Sequence, residues 1–500
     1  MNKYLKIYLR FCIFCFLLFV CTSLFGCKGN IADVSKNLTK YTINLSYDDE
    51  NYKLSGSEHV DYVNNYDVAL DKLCFHLYPN AFAEDAKTKP VSLAYMTKAY
   101  PNGKSYGSIT ISKVCVEGVE QDIVITEPDD EVLVVSFLEQ FFPDERIGID
   151  IDFEVVLPNC LHRFGYGDNT INFGNFYPVA CVYENNNFKT DAYGSNGDPF
   201  YSEMANYEVN LSFNKKFVLA STGDVVNQNQ DDSTQNVNIT ANAVRDFAFV
   251  LSEKFSVISD KVGKTTINYF YYDDEKPQKS LKAGVDAIKT FNNLFGEYPY
   301  KTYNIAKTNF IHGGMEYPNL VFISDSVEGE FDYLNVIVHE TAHQWWYNMV
   351  GSNACEYAWL DEGLTEYSTL LFYKNNPEYN VDIKKSLNNS LSSYLLFSEI
   401  YNSVYGKFDE SMSKNVNSFK GDTDYVYITY VKGVLFFDNL NELVGDKNFI
   451  KSLRLYFKEN CYKNATPNDM ISCFERTCKR NLEGYFDSWI SGKVILQNYA

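Results

Sequence analysis

The chain has 500 residues, of which 45% are hydrophobic and 22% are charged, and it contains 40 tyrosines and 37 phenylalanines. This composition is typical of a globular protein and excludes an intrinsically disordered chain. The formal net charge of -21 argues against a nucleic-acid-binding protein, because such a protein needs a basic surface. The length predicts at least two folded domains.

Residues 1–26 have the pattern of a secretion signal. Three basic residues and no acidic residue begin the segment, and an uncharged apolar run follows that is short for a membrane span. Leu24–Cys27 (LFGC) is similar to a bacterial lipobox. This similarity predicts cleavage before Cys27, a lipid on its sulfur, and attachment of the exported protein to the membrane at the cell surface. Ordinary secretion and an uncleaved signal anchor are the alternatives.

The next segments are predicted to be a tether, residues 27–40, and a β domain, residues 41–260. In the β domain the hydrophobic pattern has a period of two, as in Arg146–Phe153 (RIGIDIDF). Strict alternation indicates antiparallel strands with one buried face and one solvated face. Short clusters of glycine, asparagine and aspartate between these stretches predict turns.

The pattern changes after residue 260. Apolar residues recur at helical spacing in Ser280–Leu294, and 332–350 and 360–374 are also predicted to be helices. Residues 261–500 are therefore predicted to form a mostly α-helical domain with a few strands. The fold class that follows is α+β, with the β domain first.

The segment 336–346 (VIVHETAHQWW) contains two of the six histidines in the chain. On a helix, His339 and His343 lie four residues apart on one face, and Glu340 lies beside them. Two neutral imidazoles suit a zinc ion, and a glutamate at this position can reach a water molecule on the metal. The alternative is two helical histidines in ordinary hydrogen bonds.

A catalytic zinc ion needs a third protein ligand and one open position. Glu362 in Trp359–Gly363 (WLDEG) follows His343 after eighteen intervening residues. This gap allows the first helix to end, a loop to turn back and a second helix to bring Glu362 to the histidines. The alternative is an ordinary acid near a helix N-terminus, where negative charge is favoured.

These motifs resemble the aminopeptidase N family of zinc metallopeptidases, which includes leukotriene hydrolase. HExxH followed by eighteen residues and the glutamate of WLxEG is the family's metal-binding pattern. Gly313–Tyr317 (GGMEY) is similar to its GxMEN exopeptidase motif, and Tyr430–Gly433 (YVKG) to its YxKG segment. The resemblance implies an N-terminal saddle-like β domain followed by a thermolysin-like catalytic domain with one zinc ion.

The resemblance also implies a role for each site residue. The zinc ion, bound by His339, His343 and Glu362, would activate a water molecule, and Glu340 would be the general base. Tyr430 would stabilise the oxyanion. Glu316 would bind the free amine of a peptide substrate, and Gly313, Gly314 and Met315 before it would belong to the same substrate-binding segment.

Two departures from the family pattern stand out. Tyr317 replaces the asparagine of GxMEN, and the resemblance ends at residue 500, where larger relatives add further domains. Glu366, one helical turn after Glu362, is predicted to accept an N–H from a zinc-binding imidazole. The alternative functions are a thermolysin-type endopeptidase, which needs no amine-binding acid, and a non-catalytic surface lipoprotein that binds peptides or zinc.

Overall fold

A computed structural model describes residues 31–497 of the chain. The predicted signal segment and Cys27 therefore lie outside the described residues. Within residues 31–497, no helix combines the length and the apolar character needed to cross a membrane.

The first half is built almost entirely of strands, as the period-two pattern predicts. The strands are β1 (Thr39–Asp48), β2 (Lys53–Val63), β3 (Leu70–His76), β4 (Ser108–Val116), β5 (Val119–Glu120), β6 (Val124–Thr126), β7 (Val132–Phe141), β8 (Arg146–Val156), β9 (Phe164–Tyr166), β10 (Ile171–Phe173), β11 (Val179–Ala180), β12 (Tyr183–Glu184), β13 (Asn187–Phe188), β14 (Ala205–Asn214), β15 (Val218–Ser221), β16 (Asp224–Gln230), β17 (Thr234–Val244) and β18 (Phe249–Ser252). Two one-turn helices, α1 (Ile31–Val34) and α2 (Met96–Ala99), accompany them.

The largest sheet of this half has eight strands in the order β16-β17-β14-β1-β2-β8-β4-β5. Its strands alternate buried and exposed residues, and β1 is a clear example. One pair departs from the predicted antiparallel arrangement, because β1 and β14 run parallel from Thr39 opposite Ala205 to Ser46 opposite Ser212. A long connection joins these two strands, so no tight hairpin forces them to run in opposite directions.

Two predicted boundaries differ slightly from the observed elements. The helical turn α1 and the start of β1 at Thr39 fall inside the predicted tether, residues 27–40. Strand β19 (Ser256–Val262) crosses the predicted domain boundary at residue 260 and pairs with β20 (Thr265–Tyr271) in the sheet of the second half.

The second half contains a five-stranded sheet in the order β19-β20-β21-β23-β22 and a set of helices. Its further strands are β21 (Thr302–Thr308), β22 (Gly314–Met315), β23 (Leu320–Ser324), β24 (Val350–Ser352) and β25 (Lys463–Ala465). Its helices are α3 (Pro277–Leu294), α4 (Glu330–His343), α5 (Ala354–Ala358), α6 (Leu364–Asn375), α7 (Ile383–Tyr405), α8 (Asp422–Val426), α9 (Lys432–Val444), α10 (Asp446–Asn460), α11 (Pro467–Cys478) and α12 (Glu483–Ile490).

Helix α4, which carries HExxH, is held in the centre of this half. It contacts α3, α6, the edge strand β22 and its neighbour β23. Its residues Ile337, Val338 and Ala342 are fully buried. The motif is therefore fixed on a rigid helix between the sheet and the helices that follow it.

Candidate metal centre and active site

The HExxH motif occupies the last turns of α4, and its two histidines lie on one face of the helix. His343 is 1% exposed and His339 is 9% exposed. The sequence predicted a helix over residues 332–350, but the α-helix ends at His343. Residues Gln344–Met349 form a wider π-helical turn instead.

Two other π-helical turns carry predicted site residues. Trp359–Gly363 contains Glu362, and Tyr427–Val431 contains Tyr430. A π-helical turn widens the helix locally and re-aims its side chains, and such turns are frequent at functional sites. Each of these segments leads directly into an α-helix, α6 or α9, so the side chains remain on a rigid support.

A pair of glycines brings these two segments into backbone contact. A Cβ atom on Gly433 would lie 2.7 Å from the Cα of Gly363, and a Cβ on Gly363 would lie 3.0 Å from the Cα of Gly433. Only glycine fits at such a contact without moving the backbone. The glycines of WLDEG and YVKG therefore allow Glu362 and Tyr430 to approach the same point.

Three side-chain atoms converge at this point. His339 Nε2 and His343 Nε2 are 3.2 Å apart, and Glu362 Oε2 lies 3.3 Å from the first and 3.2 Å from the second. A tetrahedral zinc site with bonds of about 2.0 Å has edges of roughly 3.3 Å. The three atoms are thus spaced as one face of such a tetrahedron.

The other nitrogen of each imidazole faces a carboxylate. His343 Nδ1 lies 2.7 Å from Asp361 Oδ1, and His339 Nδ1 lies 3.1 Å from Glu366 Oε2. These carboxylates hold a proton on each Nδ1, so each Nε2 presents a lone pair. Two imidazole nitrogens and a carboxylate oxygen at this spacing share either a proton or a metal cation, and the donor set fits zinc.

The charges around His339 support the same interpretation. Burial lowers the pKa of this imidazole, but its contacts with Glu362 and Glu366 outweigh burial and raise the pKa to about 10 in the metal-free protein. The pKa of Glu362 is lowered: burial opposes ionisation, and the two histidines overcome it. The site therefore attracts positive charge, which a bound divalent cation would supply.

Glu340 lies in the same cavity with one oxygen free. Its Oε2 is buried and has no hydrogen-bond partner among the described residues. Burial raises the pKa of Glu340 to about 7, although both histidines oppose this shift. A Cβ atom on Gly314 would overlap the Glu340 carboxylate, so the glycine allows strand β22 to pass directly beside it.

Glu316 directs a carboxylate into the cavity from the GGMEY segment. It is 2% exposed, its Oε1 has no partner among the described residues, and burial raises its pKa well above the ordinary value. Gln344 Nε2 donates to the carbonyl oxygen of Tyr317 at 3.1 Å, which ties this segment to α4. Tyr317 itself is buried and donates to Asn175 Oδ1 at 2.7 Å, outside the metal cluster.

The ring of Tyr430 lies beside the imidazole of His339. The two rings are 6.0 Å apart, centre to centre, and nearly parallel. Burial, and then the charge of Glu362, raise the pKa of the Tyr430 phenol well above its ordinary value. The phenol therefore keeps its proton at neutral pH and can donate a hydrogen bond in the cavity.

The structure adds three residues that the sequence reasoning did not single out. Asp361 contacts His343, and its only sequence signal is its place beside Glu362. Asp198 comes from the first half of the chain, and its carboxylate lies within 4.8 Å of those of Glu316 and Glu362. Arg163, also from the first half and buried, forms an ion pair with Asp198. No local motif marks Asp198 or Arg163.

Asp198, Arg163 and the predicted site residues other than Met315 line one cavity of about 540 Å³. Six carboxylates line it: Asp198, Glu316, Glu340, Glu362, Glu366 and Asp422. Among the lysines and arginines of residues 31–497, only Arg163 reaches it. The cavity is therefore suited to a metal ion together with a substrate group that carries positive charge.

Comparison with known proteins finds a family match in the second half of the chain. Residues 279–489 match the model of the peptidase family M1 domain. This chain carries a peptidase family M1 domain. The match confirms the resemblance to the aminopeptidase N and leukotriene hydrolase family, and the M1 domain includes all the predicted metal ligands.

Curated relatives match over less than half of this chain. Leucine aminopeptidase 2 of Ajellomyces capsulatus is 32% identical over 233 residues, which are 45% of this chain and 34% of that protein. Aminopeptidase B of Mus musculus is 28% identical over 221 residues, which are 41% of this chain and 33% of that protein. The chain spans about a third of the length of these relatives.

Solved structures match over almost the whole chain. An M1 zinc metallopeptidase from Deinococcus radiodurans superposes with a TM-score of 0.64 at 14% identity, covering 92% of this chain and 95% of that one. A mutant of a metallopeptidase from the same organism, solved with a Tyr-Ser-Ala substrate, superposes with a TM-score of 0.63. The likeness confirms the predicted fold, a β-rich N-terminal region followed by a mostly helical M1 domain.

Proposed function

We propose that this protein is a zinc-dependent aminopeptidase, which releases N-terminal residues from peptides. The single observation that carries the proposal is the convergence of His339 Nε2, His343 Nε2 and Glu362 Oε2 within 3.3 Å of one another. Two buried carboxylate oxygens without partners, on Glu340 and Glu316, share the cavity with these atoms. The aminopeptidase names of the M1 relatives support the same activity.

The metal and the chain would divide the chemistry between them. Zinc, when bound, supplies a Lewis acid that makes water more acidic and polarises a carbonyl group. Glu340, with its free oxygen, accepts the proton of the attacking water and returns it to the departing nitrogen. Tyr430, whose phenol stays protonated, donates to the substrate oxygen on which negative charge develops.

Glu316 would give the enzyme its preference for a free N-terminus. Its buried carboxylate can accept hydrogen bonds from an α-ammonium group, and a charge-assisted bond of this kind is strong. Asp198 lies in the same cluster and offers a second carboxylate, although Arg163 neutralises part of its charge. A substrate amine placed here leaves its first carbonyl group next to the three metal ligands.

The decisive test uses fluorogenic alanyl and leucyl amides. Zinc-loaded protein should cleave them, lose the activity with a chelator and regain it with added zinc. Glu340→Gln should lower kcat by roughly 10²–10⁴-fold, while elemental analysis still finds one zinc ion per chain. Glu154→Gln, on the solvent side of β8, is the matched control and should leave kcat unchanged. Full activity of Glu340→Gln would remove this residue from the mechanism.

The thermolysin-type alternative is separated by blocking the substrate amine. Glu316→Gln should lower kcat/KM for the free aminoacyl amides by about tenfold or more, since a charge-assisted hydrogen bond is lost. An internally quenched peptide with an acetylated N-terminus should be a poor substrate of the unmodified protein. Rapid cleavage of that peptide would instead favour an endopeptidase.

We also propose export and attachment of the protein to the membrane by a lipid on Cys27. The support is the basic start, the short apolar run and the LFGC segment of residues 1–27. Labelling with radioactive palmitate should mark the unmodified protein and not the Cys27→Ser variant. Equal labelling of the two proteins would contradict the proposal.

A further inference from the structure

A second cavity, of about 990 Å³, lies beside the metal-binding cavity. Parts of 81–106, 192–196 and 417–423 line it, so both halves of the chain contribute. The two cavities have three lining residues in common, which we call the ring: Pro90, Ser195 and Asp422. A space of this size holds a drug-sized group rather than one ordinary side chain.

One residue of the ring belongs to the loop that carries Asp198, which is part of the carboxylate cluster that would hold the substrate amine. Ser195 is on the same loop as Asp198, three residues before it, and Asp198 lies within 4.8 Å of Glu316. A peptide bound with its amine at Glu316 has no further main chain on that side. The one part of such a substrate that can cross the ring is the side chain of its first residue.

Four lysines line the second cavity, in contrast to the six carboxylates of the first one: Lys87, Lys89, Lys104 and Lys420. Two carboxylates, Glu84 and Asp422, oppose them. Within residues 31–497, Lys87 is paired with Glu127 at 3.1 Å. The other three lysines form no ion pair in this part of the chain, so the cavity beyond the ring keeps a net positive charge.

The hydrogen bonds of these lysines leave their charges in place. Lys89 Nζ donates to the backbone carbonyl oxygens of Ala83 and Glu84, each at 3.0 Å, and Lys420 Nζ lies 5.1 Å from the centre of the Tyr401 ring. Carbonyl groups and an aromatic ring do not neutralise an ammonium ion. An anion that enters the cavity is therefore attracted, and salt will screen the attraction because the site is open.

We propose that the enzyme accepts peptides whose first residue has a long side chain that ends in an anion. The side chain crosses the ring, and its anion lies among Lys89, Lys104 and Lys420. A lysine acylated on Nε by a dicarboxylic acid has this form. The inference rests on the proposed aminopeptidase function, since it uses the amine site to orient the substrate.

The test compares two fluorogenic amides of Nε-glutaryl-lysine, one with a free carboxylate and one with its methyl ester. They have nearly the same length and differ in charge. At low ionic strength kcat/KM should be about two- to fivefold higher for the free acid, mainly through KM, and the ratio should fall with added salt. In the double variant Lys104→Gln/Lys420→Gln the ratio should approach one. Lys447→Gln, an exposed lysine on α10, is the matched control and should keep the ratio.

Alanyl amide, measured in parallel, separates the two proposals. Equal rates for the acid and the ester, with alanyl amide cleaved normally, would overturn the inference and leave the aminopeptidase function standing. If neither Nε-glutaryl-lysine amide is cleaved while alanyl amide is, the inference is overturned as well, because a long side chain then does not pass between the two cavities. If Lys447→Gln also brings the ratio close to one, the preference comes from the net charge of the protein and not from the lysines of the second cavity. If no amide is cleaved by zinc-loaded protein, both proposals fail.

Discussion

The backbone contact between Gly433 and Gly363 allows a quantitative prediction. A Cβ atom on Gly433 would lie 2.7 Å from the Cα of Gly363, whereas carbon atoms normally pack at about 3.5–4.0 Å. Gly433→Ala should therefore push α9 and the WLDEG segment apart by about 1 Å. Overpacking of this kind costs about 1–3 kcal/mol, and the helix-propensity gain from alanine returns about 1 kcal/mol. The net change should be a destabilisation of up to about 2 kcal/mol.

The same displacement should also affect catalysis, because Tyr430 is three residues before Gly433. A shift of about 1 Å at an active site can lower the rate about 10²-fold. The assays are urea unfolding, kcat on alanyl amide and zinc content. Gly484→Ala is the matched control, because Gly484 is also in a helix but its Cβ would have no neighbour within 4 Å. It should become more stable by ~0.5–1 kcal/mol and keep its activity.

Two outcomes for Gly433→Ala would contradict this prediction. If Gly433→Ala unfolds at the same urea concentration as the unmodified protein and retains its kcat, the close contact does not position Tyr430. A loss of kcat together with a complete loss of zinc would show that the contact acts on Glu362 instead.

Two further predictions concern zinc binding and pH. Asp361→Asn removes the carboxylate 2.7 Å from His343 Nδ1, so zinc affinity should fall about 10–100-fold in a competition titration with a chelator; an unchanged affinity would contradict this role. Burial raises the pKa of Glu131 from 4.5 to about 8, so the stability that its protonated form provides is complete below pH 4.5 and is lost as the pH rises to about 8. Glu131→Gln should therefore match the unmodified protein in urea unfolding below pH 4.5 and exceed it by about 4 kcal/mol at pH 8. A constant difference at all pH values would rule out this titration as the cause.

Local patterns were enough to predict much of the fold. The alternation in Arg146–Phe153 is part of an observed strand, and the helical spacing in Ser280–Leu294 is part of an observed helix. Both patterns depend on residues close in sequence. The parallel pairing of β1 with β14 was not predictable in this way, because these strands are far apart in the chain and no short turn sets their direction.

In the candidate site, too, relations between residues close in sequence were predictable and relations between distant segments were not. The spacing of His339 and His343 puts both imidazoles on one helix face, and Glu366 follows Glu362 by one turn. Both arrangements can be predicted from the sequence separation alone. The participation of Asp198 depends instead on how the first half of the chain packs against the second. No spacing between Asp198 and the HExxH motif could have indicated it.

By itself, the sequence determined the types of ligand, their order and their positions on individual helices, because 3.6 residues per turn decides which side chains are neighbours. Only the tertiary structure decided that Glu362, Glu316 and Tyr430 meet at the two histidines. Their meeting depends on backbones that approach closely at Gly314, Gly363 and Gly433, and such contacts arise from packing between segments that are distant in the chain.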